Sequence, residues 1–191
     1  MLYIVVIMVF LYLVILLLAT FFCIGFVLFL LAEFLAIFTT DAPFVPIPKD
    51  TEDEIIKNLG LNSGNVLYDL GCGDARILIR TLEKYPDLKA VGIEIAFWPY
   101  LLAKFKTRKY KNIEIKRENI FKTDISRATH IFLYLYPKVI SRLFARIREQ
   151  CRSGTTVMSC DFELDGVTPT KVVNLKNPSS RRGKKLFIYS I

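Results

Sequence analysis

The chain has 191 residues, of which 53% are hydrophobic and 23% charged, and its formal net charge at pH 7 is +8. This basic balance favours an anionic partner, such as a phospholipid surface, a nucleic acid or an anionic cofactor, without choosing among them. The four cysteines form no Cys-x-x-Cys pair and there is one histidine, which argues against a metal site and a disulfide framework and favours reduced thiols in a cytosol-facing domain.

The N-terminal residues 1–32 contain no charged residue and are dominated by Leu, Ile, Val and Phe. This run exceeds the roughly 20 residues that cross a bilayer core, and it lacks the basic start and short apolar stretch of a cleavable signal peptide. We therefore predict a single-pass transmembrane anchor over residues 1–38. Acidic residues follow it, and all 26 Lys and Arg lie beyond it, which favours an orientation with the following domain in the cytoplasm.

Residues 39–50 are predicted to form a linker, because Pro43, Pro46 and Pro48 break helices and bias their predecessors to extended geometry. Thr51 is then predicted to cap a helix over residues 51–59, whose first turn is rich in acids.

Residues 51–191 are predicted to form one domain in which strands and helices alternate. The predicted strands are residues 65–69, 89–94, 113–117, 130–135 and 155–161, and the predicted helices are 74–84, 97–109 and 138–151. This alternation predicts an α/β, Rossmann-like fold with a mostly parallel sheet and helices on both faces. Residues 170–175 and 184–191 predict an antiparallel hairpin at the C-terminal end of the sheet.

The turn after the first predicted strand marks a nucleoside-cofactor site. Gly71, Cys72 and Gly73 follow Asp69 closely, and glycines let the main chain approach a ligand and present N–H groups to it. A dinucleotide fingerprint needs glycine at its sixth position, where Arg76 stands, so NAD and FAD are disfavoured. A carboxylate at Asp69 is instead suited to accept from the amino group of S-adenosylmethionine.

Further acids and an amide end the second and third predicted strands. Glu94 is placed to accept both ribose hydroxyls of the cofactor, although a solvated charge at a strand end is the alternative. Glu118 and Asn119 follow the third strand, and either is a candidate for the adenine amino group. Their alternative interpretation is an ordinary turn.

The ends of the fourth and fifth predicted strands supply the candidate catalytic residues. Tyr136 and Pro137 are expected to border the methyl-donor pocket, because ligands bind at strand carboxyl ends in open α/β sheets and aromatic walls suit a sulfonium cation. The alternative is that Tyr134 and Tyr136 are core aromatics. Asp161 is a candidate to orient the acceptor.

Two basic clusters are predicted to be either solvated faces or contacts for anionic lipid headgroups. One contains Lys104, Lys106, Arg108, Lys109 and Lys111, and the other contains Arg181, Arg182, Lys184 and Lys185. No nucleic acid is expected, because no recognised binding module accompanies the clusters.

Together these motifs resemble class I S-adenosylmethionine-dependent methyltransferases, and more closely the membrane-anchored protein-lysine methyltransferase family. Mitochondrial members of that family modify the ATP synthase c subunit and the adenine nucleotide translocase. The matching segments are residues 43–46, 69–76, 92–94, 98–99, 133–137 and 159–162. The family usually has glycine where Ala75 stands, aspartate where Asn119 aligns, and an apolar pair before its proline, where Tyr136 stands.

The resemblance implies a membrane-anchored enzyme that transfers a methyl group from S-adenosylmethionine to a lysine side chain of a membrane protein. Two other interpretations stay open: methylation of a membrane-resident small molecule, such as a quinone or lipid, and a non-catalytic module that binds the cofactor. The combination of Asp69, Gly71, Gly73 and Glu94 argues against the last of these.

Overall fold

The structure, a computed structural model, describes residues 2–39, 47, 49–176 and 183–191. The chain divides into two compact units, Met1–Thr40 and Asp41–Ile191. Most of the predicted linker, including its three prolines and the 43–46 motif, lies outside the described residues, as do Arg181 and Arg182 of the second basic cluster.

The first unit is a single helix, α1 (Leu2–Thr39). Its segment Leu2–Ala32 is 31 residues long and is apolar enough to cross a membrane. At 1.5 Å per residue, a helix of about 20 residues already spans the hydrocarbon core, so this segment is long enough. Every side chain of the segment is exposed, including all of its Leu, Ile, Val and Phe residues.

The second unit contains four helices and seven strands in its described residues. The helices are α2 (Lys49–Leu59), α3 (Arg76–Lys84), α4 (Phe97–Thr107) and α5 (Pro137–Gln150). The strands are β1 (Val66–Leu70), β2 (Lys89–Ile93), β3 (Ile113–Lys116), β4 (His130–Leu133), β5 (Thr156–Cys160), β6 (Lys171–Asn174) and β7 (Lys185–Ser190). The predicted elements are thus confirmed, with small differences in their ends.

Two predicted helix starts are wrong. Helix α2 begins at Lys49, so Thr51 lies inside its first turn, where the threonine side chain is buried. Helix α3 begins at Arg76 and not at Asp74, because Ala75 adopts the left-handed conformation with φ 62°, which a right-handed helix does not accommodate.

The strands form one sheet in the order β3-β2-β1-β4-β5-β7-β6. The first five strands are parallel, and β7 lies antiparallel between β5 and β6, which confirms the mostly parallel sheet with an antiparallel end. The chain proceeds from β1 outward to β3 and then returns to β4 on the other side of β1. The strand order therefore reverses between β1 and β4, which is where open α/β sheets bind ligands.

The core lies on both faces of the sheet, because successive strand residues point to opposite sides. Leu67 of β1 belongs to one buried cluster, which it shares with apolar residues of α2, α3 and α4. Tyr68, the next residue, belongs to a second cluster that includes the buried face of α5. Both clusters are built from residues of the second unit alone, so this unit has its own core.

Removal of residues 1–38 is expected to leave a soluble domain that folds cooperatively, since both core clusters begin at or after Ile47. Thermal unfolding followed by circular dichroism checks this, with the full chain in detergent as the control. A truncated chain without a cooperative transition would show that the domain boundary is misplaced.

Candidate active site

The candidate residues meet at the carboxyl ends of the central strands. Asp69, the fourth residue of β1, is paired in register with Gly92 of β2 on one side and Phe132 of β4 on the other. Glu94 directly follows β2, and Tyr134 directly follows β4. The predicted cofactor residues therefore share one edge of the sheet, beside the reversal of strand order.

The glycine turn is bonded to the end of β2. Gly71 and Gly73 have φ 86° and 55°, conformations that L side chains rarely adopt. The N–H groups of Gly71 and Cys72 both donate to the Ile93 carbonyl, at 2.8 and 3.0 Å, and that of Gly73 donates to Glu94 Oε2 at 2.9 Å. The prediction that the turn presents these N–H groups to a ligand is therefore wrong, because all three are already bonded within the protein. What the turn can provide is a backbone without side chains at Gly71 and Gly73, which a ligand can approach closely.

Side chains at the turn are packed to contact distance. A Cβ atom on Gly71 would lie 2.8 Å from Leu135 Cδ2, so only glycine fits beside the segment that follows β4. The Cys72 side chain points into the core, where its Sγ would lie 2.8 Å from a Cβ on Gly92. Burial raises the pKa of the Cys72 thiol well above its ordinary value, so the thiol stays neutral and contributes packing.

Three carboxylates are buried around this turn: Asp69, Asp74 and Glu94. A buried charge is costly unless cations or hydrogen-bond donors compensate it, so the partners of each carboxylate reveal its role. The three differ sharply in this respect.

Asp74 is compensated inside the protein. Arg76 donates to both of its oxygens, at 2.9 and 3.0 Å, and Lys106 Nζ on α4 donates to Oδ2 at 2.6 Å. Burial alone would raise the pKa of Asp74, but these hydrogen bonds outweigh it and hold the pKa below its ordinary value. Asp74 is therefore a charged anchor for the turn and has no need of an external cation.

Glu94 is compensated by the backbone. Its Oε2 accepts from the Gly73 N–H, and its Oε1 accepts from the Ala96 N–H at 2.8 Å. A carboxylate has about four lone-pair sites, so each oxygen retains capacity to accept a further hydrogen bond. Glu94 therefore holds the glycine turn and remains able to accept from a pair of hydroxyls.

Asp69 is the carboxylate that lacks compensation. It is 4% exposed, and no other described residue donates a side-chain or backbone hydrogen bond to its carboxylate. Burial, together with the negative charges of Glu94 and Asp74, raises the pKa of Asp69 to about 8. A ligand that brings a positive charge would compensate this carboxylate.

The candidate adenine residues form a tight turn. Asn119 Oδ1 accepts from the Phe121 N–H at 2.9 Å, and its carbonyl accepts from Lys122 and Thr123. Glu118 is exposed, and its Oε2 accepts from the Thr123 hydroxyl at 3.0 Å. The alternative that these residues form an ordinary turn is therefore correct. The Asn119 amide nitrogen and Glu118 Oε1 remain candidates for hydrogen bonds to adenine.

The candidate catalytic residues lie beyond β4 and β5. Tyr134 packs against the core, as its alternative interpretation expects, whereas Tyr136 is one third exposed or more and its ring centroid lies 6.3 Å from that of Phe162. Pro137 is the first residue of α5. Tyr136 and Phe162 thus form an accessible aromatic wall.

Asp161 has a structural role in the described residues. Its carboxylate accepts from the N–H groups of Gly183 and Lys184, both at 2.6 Å, and of Lys185 at 3.3 Å. It has φ 66° and directly follows β5, so it holds the start of β7 against the end of β5. Its carboxylate is therefore less available to an acceptor than the sequence indicates.

Two functional features are not apparent from the sequence. Lys106, which the sequence places in a basic surface cluster, pairs with Asp74, and no local pattern signals this contact between distant residues. Arg76, which the sequence uses only to disfavour a dinucleotide, also donates from Nη1 to the Ile47 carbonyl at 2.8 Å. The available signal is an arginine, with its forked guanidinium, two residues after Asp74, the acid of the turn.

The sheet order, the glycine turn and the acids at the carboxyl ends of β1 and β2 are those of a class I S-adenosylmethionine-dependent methyltransferase. A family profile described as the ANTKMT methyltransferase domain matches residues 69–171. The chain belongs to this family.

Similar proteins agree with this assignment. A protein-lysine N-methyltransferase of Saccharolobus islandicus (strain REY15A) is 29% identical over 149 residues, which are 76% of this chain and 92% of the relative. An RNA methyltransferase from Salinibacter ruber, in complex with S-adenosyl-L-homocysteine, is 33% identical with a TM-score of 0.71, over 77% of this chain and 94% of that one. The predicted resemblance and the cofactor S-adenosylmethionine are confirmed.

A more distant structure shares the fold alone. A SAM-dependent methyltransferase from Geobacter sulfurreducens, also in complex with S-adenosyl-L-homocysteine, is 13% identical with a TM-score of 0.54, over 64% of this chain and 53% of that one.

The residues present fit this cofactor. Asp69 lacks a cation, which matches an amino group, and Glu94 keeps acceptor capacity, which matches ribose hydroxyls. When bound, the cofactor supplies an electrophilic methyl group on a sulfonium sulfur.

Replacement of Glu94 by Ala is expected to weaken cofactor binding by about tenfold or more, because it removes charge-assisted acceptors from both the ligand and the turn. Isothermal titration calorimetry with S-adenosylmethionine measures the effect. Replacement of the exposed Glu114 on β3 by Ala is the matched control and should leave the affinity unchanged. Near-native affinity of the Glu94 variant would refute the ribose assignment.

The affinity for cofactor is expected to rise by about tenfold per pH unit between pH 5 and 7, because binding a cation releases the proton that Asp69 holds below its raised pKa. The sign follows from the bound state, which favours ionised Asp69, whereas the free state favours the protonated form. Calorimetry across this range should show the slope, and Asp69→Asn should weaken binding and flatten it. A native protein with pH-independent affinity would contradict the role of Asp69.

Proposed function

We propose that this chain is a membrane-anchored protein-lysine N-methyltransferase that acts on a membrane protein. The buried carboxylates Asp69 and Glu94, one uncompensated and one held by backbone, carry the assignment to methyl transfer. The similarity to a protein-lysine N-methyltransferase, which covers 92% of that relative, supports lysine as the acceptor.

The membrane part of the proposal depends on α1. An apolar segment of 31 residues whose side chains are all exposed is stable in a bilayer and costly in water. A retained anchor with the catalytic domain in the cytoplasm agrees with the excess of Lys and Arg beyond the helix. The enzyme would then meet acceptors at or in the membrane.

The residues of the chain would act mainly by binding and orientation. Asp69 would hold the amino group of the cofactor, Glu94 its ribose, and the backbone of Gly71 and Gly73 its aminoacyl chain. Held in this way, the cofactor would present its methyl group at a fixed position, and proximity is a large part of the rate enhancement that such a reaction needs.

The acceptor lysine must be neutral when it attacks, and the aromatic wall is suited to this. Tyr136 and Phe162 would replace water around the lysine with apolar surface, which lowers the pKa of an amine by disfavouring its charged form. Pro137 would fix the Tyr136 backbone at the start of α5. Asp161 would position this wall by holding the start of β7 against the end of β5.

RNA methylation is the second candidate function, and one observation favours it. The Salinibacter ruber relative, which is 33% identical, is described as an RNA methyltransferase. The net charge of +8 is compatible with a polyanion. The apolar α1 is the observation against it, since a soluble RNA substrate gives no reason for a membrane anchor.

The acceptor class is tested by incubating the full chain with tritiated S-adenosylmethionine and membranes from cells that lack the gene. We expect label in protease-sensitive material that yields methyl-lysine on hydrolysis, and none with the Asp69→Ala variant. Label that is sensitive to ribonuclease would support RNA, and label in an organic extract would support a quinone or lipid. Cofactor binding without any label would show a non-catalytic module.

A further inference from the structure

The outer side of α4 carries an exposed apolar surface. Outside α1, four of the seven large apolar side chains that are exposed in the described residues lie on α4, and the other three are Ile95, Tyr136 and Val172. We name as the α4 stripe the residues Trp98, Leu101, Leu102 and Phe105. Phe105 is 63% exposed and Trp98 is 55% exposed.

The stripe is one continuous face of the helix. At 3.6 residues per turn, spacings of three, four and seven residues bring its four members to the same side. Ala103 and Thr107, which are buried, lie on the opposite side and face the sheet. A surface helix normally turns its large apolar residues to the core. Helix α4 does the opposite, because its apolar stripe faces outward and its small residues face the core.

Basic residues border the stripe, and acids are absent from it. Residues 95–111 contain five Lys and Arg and no Asp or Glu, and of the five Lys106 is paired with Asp74. The Arg108 guanidinium carbon lies 4.0 Å from the centroid of the Phe105 ring, and its Nη1 donates to the Phe105 carbonyl at 2.9 Å. Lys104 is on the flank of the stripe, and Lys109 and Lys111 follow the end of the helix.

We propose that the α4 stripe inserts into the surface of an anionic lipid bilayer, as a membrane contact separate from α1. An outward apolar face with a basic border is the pattern of helices that lie in the bilayer interface with their apolar side about 5–10 Å deep. The border attracts anionic headgroups, while the stripe enters the acyl region below them. This contact concerns the orientation of the domain and does not depend on the identity of the acceptor.

Lipid explains the composition of the stripe better than RNA does. Leu101 and Leu102 occupy its centre, and aliphatic side chains neither stack on bases nor donate to phosphates. A membrane interface accommodates aliphatic and aromatic side chains together, and Arg108 folded over Phe105 keeps its charge near the apolar boundary. The excess of positive charge without acids matches an anionic surface.

The contact would orient the active site. Helix α4 begins at Phe97, and the Ala96 N–H before it donates to Glu94. Only Ile95 and Ala96 therefore separate Glu94 from the helix that carries the stripe. Insertion of the stripe would hold the carboxyl edge of β2 at a fixed inclination to the bilayer.

Trp98 is the single tryptophan of the chain and serves as the reporter. The full chain is reconstituted into two kinds of vesicle, one of phosphatidylcholine alone and one that also has phosphatidylglycerol in both leaflets. Both kinds contain phospholipid with brominated acyl chains, which quench tryptophan fluorescence. In the anionic vesicles we expect a blue shift of the emission and quenching by about half, because the indole would lie within the acyl boundary. In the neutral vesicles quenching should be about twofold smaller.

Two variants separate insertion from simple tethering by α1. One variant puts acids into the stripe, by Leu101→Glu with Leu102→Glu. The other reverses charges on its border, by Lys104→Glu with Lys109→Glu. We expect each variant to reduce quenching in anionic vesicles by about twofold or more. Val172→Glu, a change at an exposed apolar residue of β6, is the matched control and should leave quenching unchanged. Thermal unfolding by circular dichroism confirms that each variant folds.

Equal quenching in neutral and anionic vesicles, unaffected by both variants, would overturn the proposal and show tethering alone. The proposal would also fail if vesicles left Trp98 unchanged while a single-stranded RNA oligonucleotide quenched it, since the stripe would then be a nucleic-acid surface. Because the vesicles contain no protein acceptor and no cofactor, failure here is independent of the proposed lysine specificity.

Discussion

The active site depends on the bonding between the glycine turn and the end of β2. The Ile93 carbonyl and the Glu94 carboxylate together accept the N–H groups of Gly71, Cys72 and Gly73. Because a buried polar group without a partner costs about 1–3 kcal/mol, these bonds fix the turn before any ligand arrives. The same strand end that shapes the turn is followed by Glu94, the residue proposed for the cofactor ribose, so one rigid piece of structure would hold both parts of the cofactor.

The site contains one buried carboxylate that is paired with cations inside the protein, here called closed, and one that is not, here called open. Asp74 is closed, because Arg76 and Lys106 neutralise it within the protein. Asp69 is open, because burial raises its pKa and no internal cation compensates it. A buried carboxyl without a cation makes the empty protein less stable than an apolar residue would, and the cationic end of a bound cofactor would offset that cost. The arrangement would thus favour the loaded state over the empty one.

The fold and the ends of its strands could largely be predicted from the sequence, whereas contacts between distant helices could not. Asp69 lies at the carboxyl end of β1 and Glu94 directly follows β2, and parallel strands bring their carboxyl ends to one edge, so the proximity of the two acids follows from topology. The pairing of Asp74 with Lys106 depends on how α4 packs on the sheet, which no local pattern encodes. Ala75 adopts a left-handed conformation that favours glycine. Helix propensities do not predict this conformation for alanine, so they could not place the start of α3 at Arg76.

Arg76 joins the entrance of the domain to its cofactor turn. Two of its guanidinium nitrogens bind Asp74, and the third binds the carbonyl of Ile47, which precedes α2 on the side of the chain that leads to α1. A displacement of Ile47 would therefore reach the side chain that holds Asp74 in the cofactor turn. One guanidinium thus makes the geometry of the cofactor turn depend on the chain segment directly before α2.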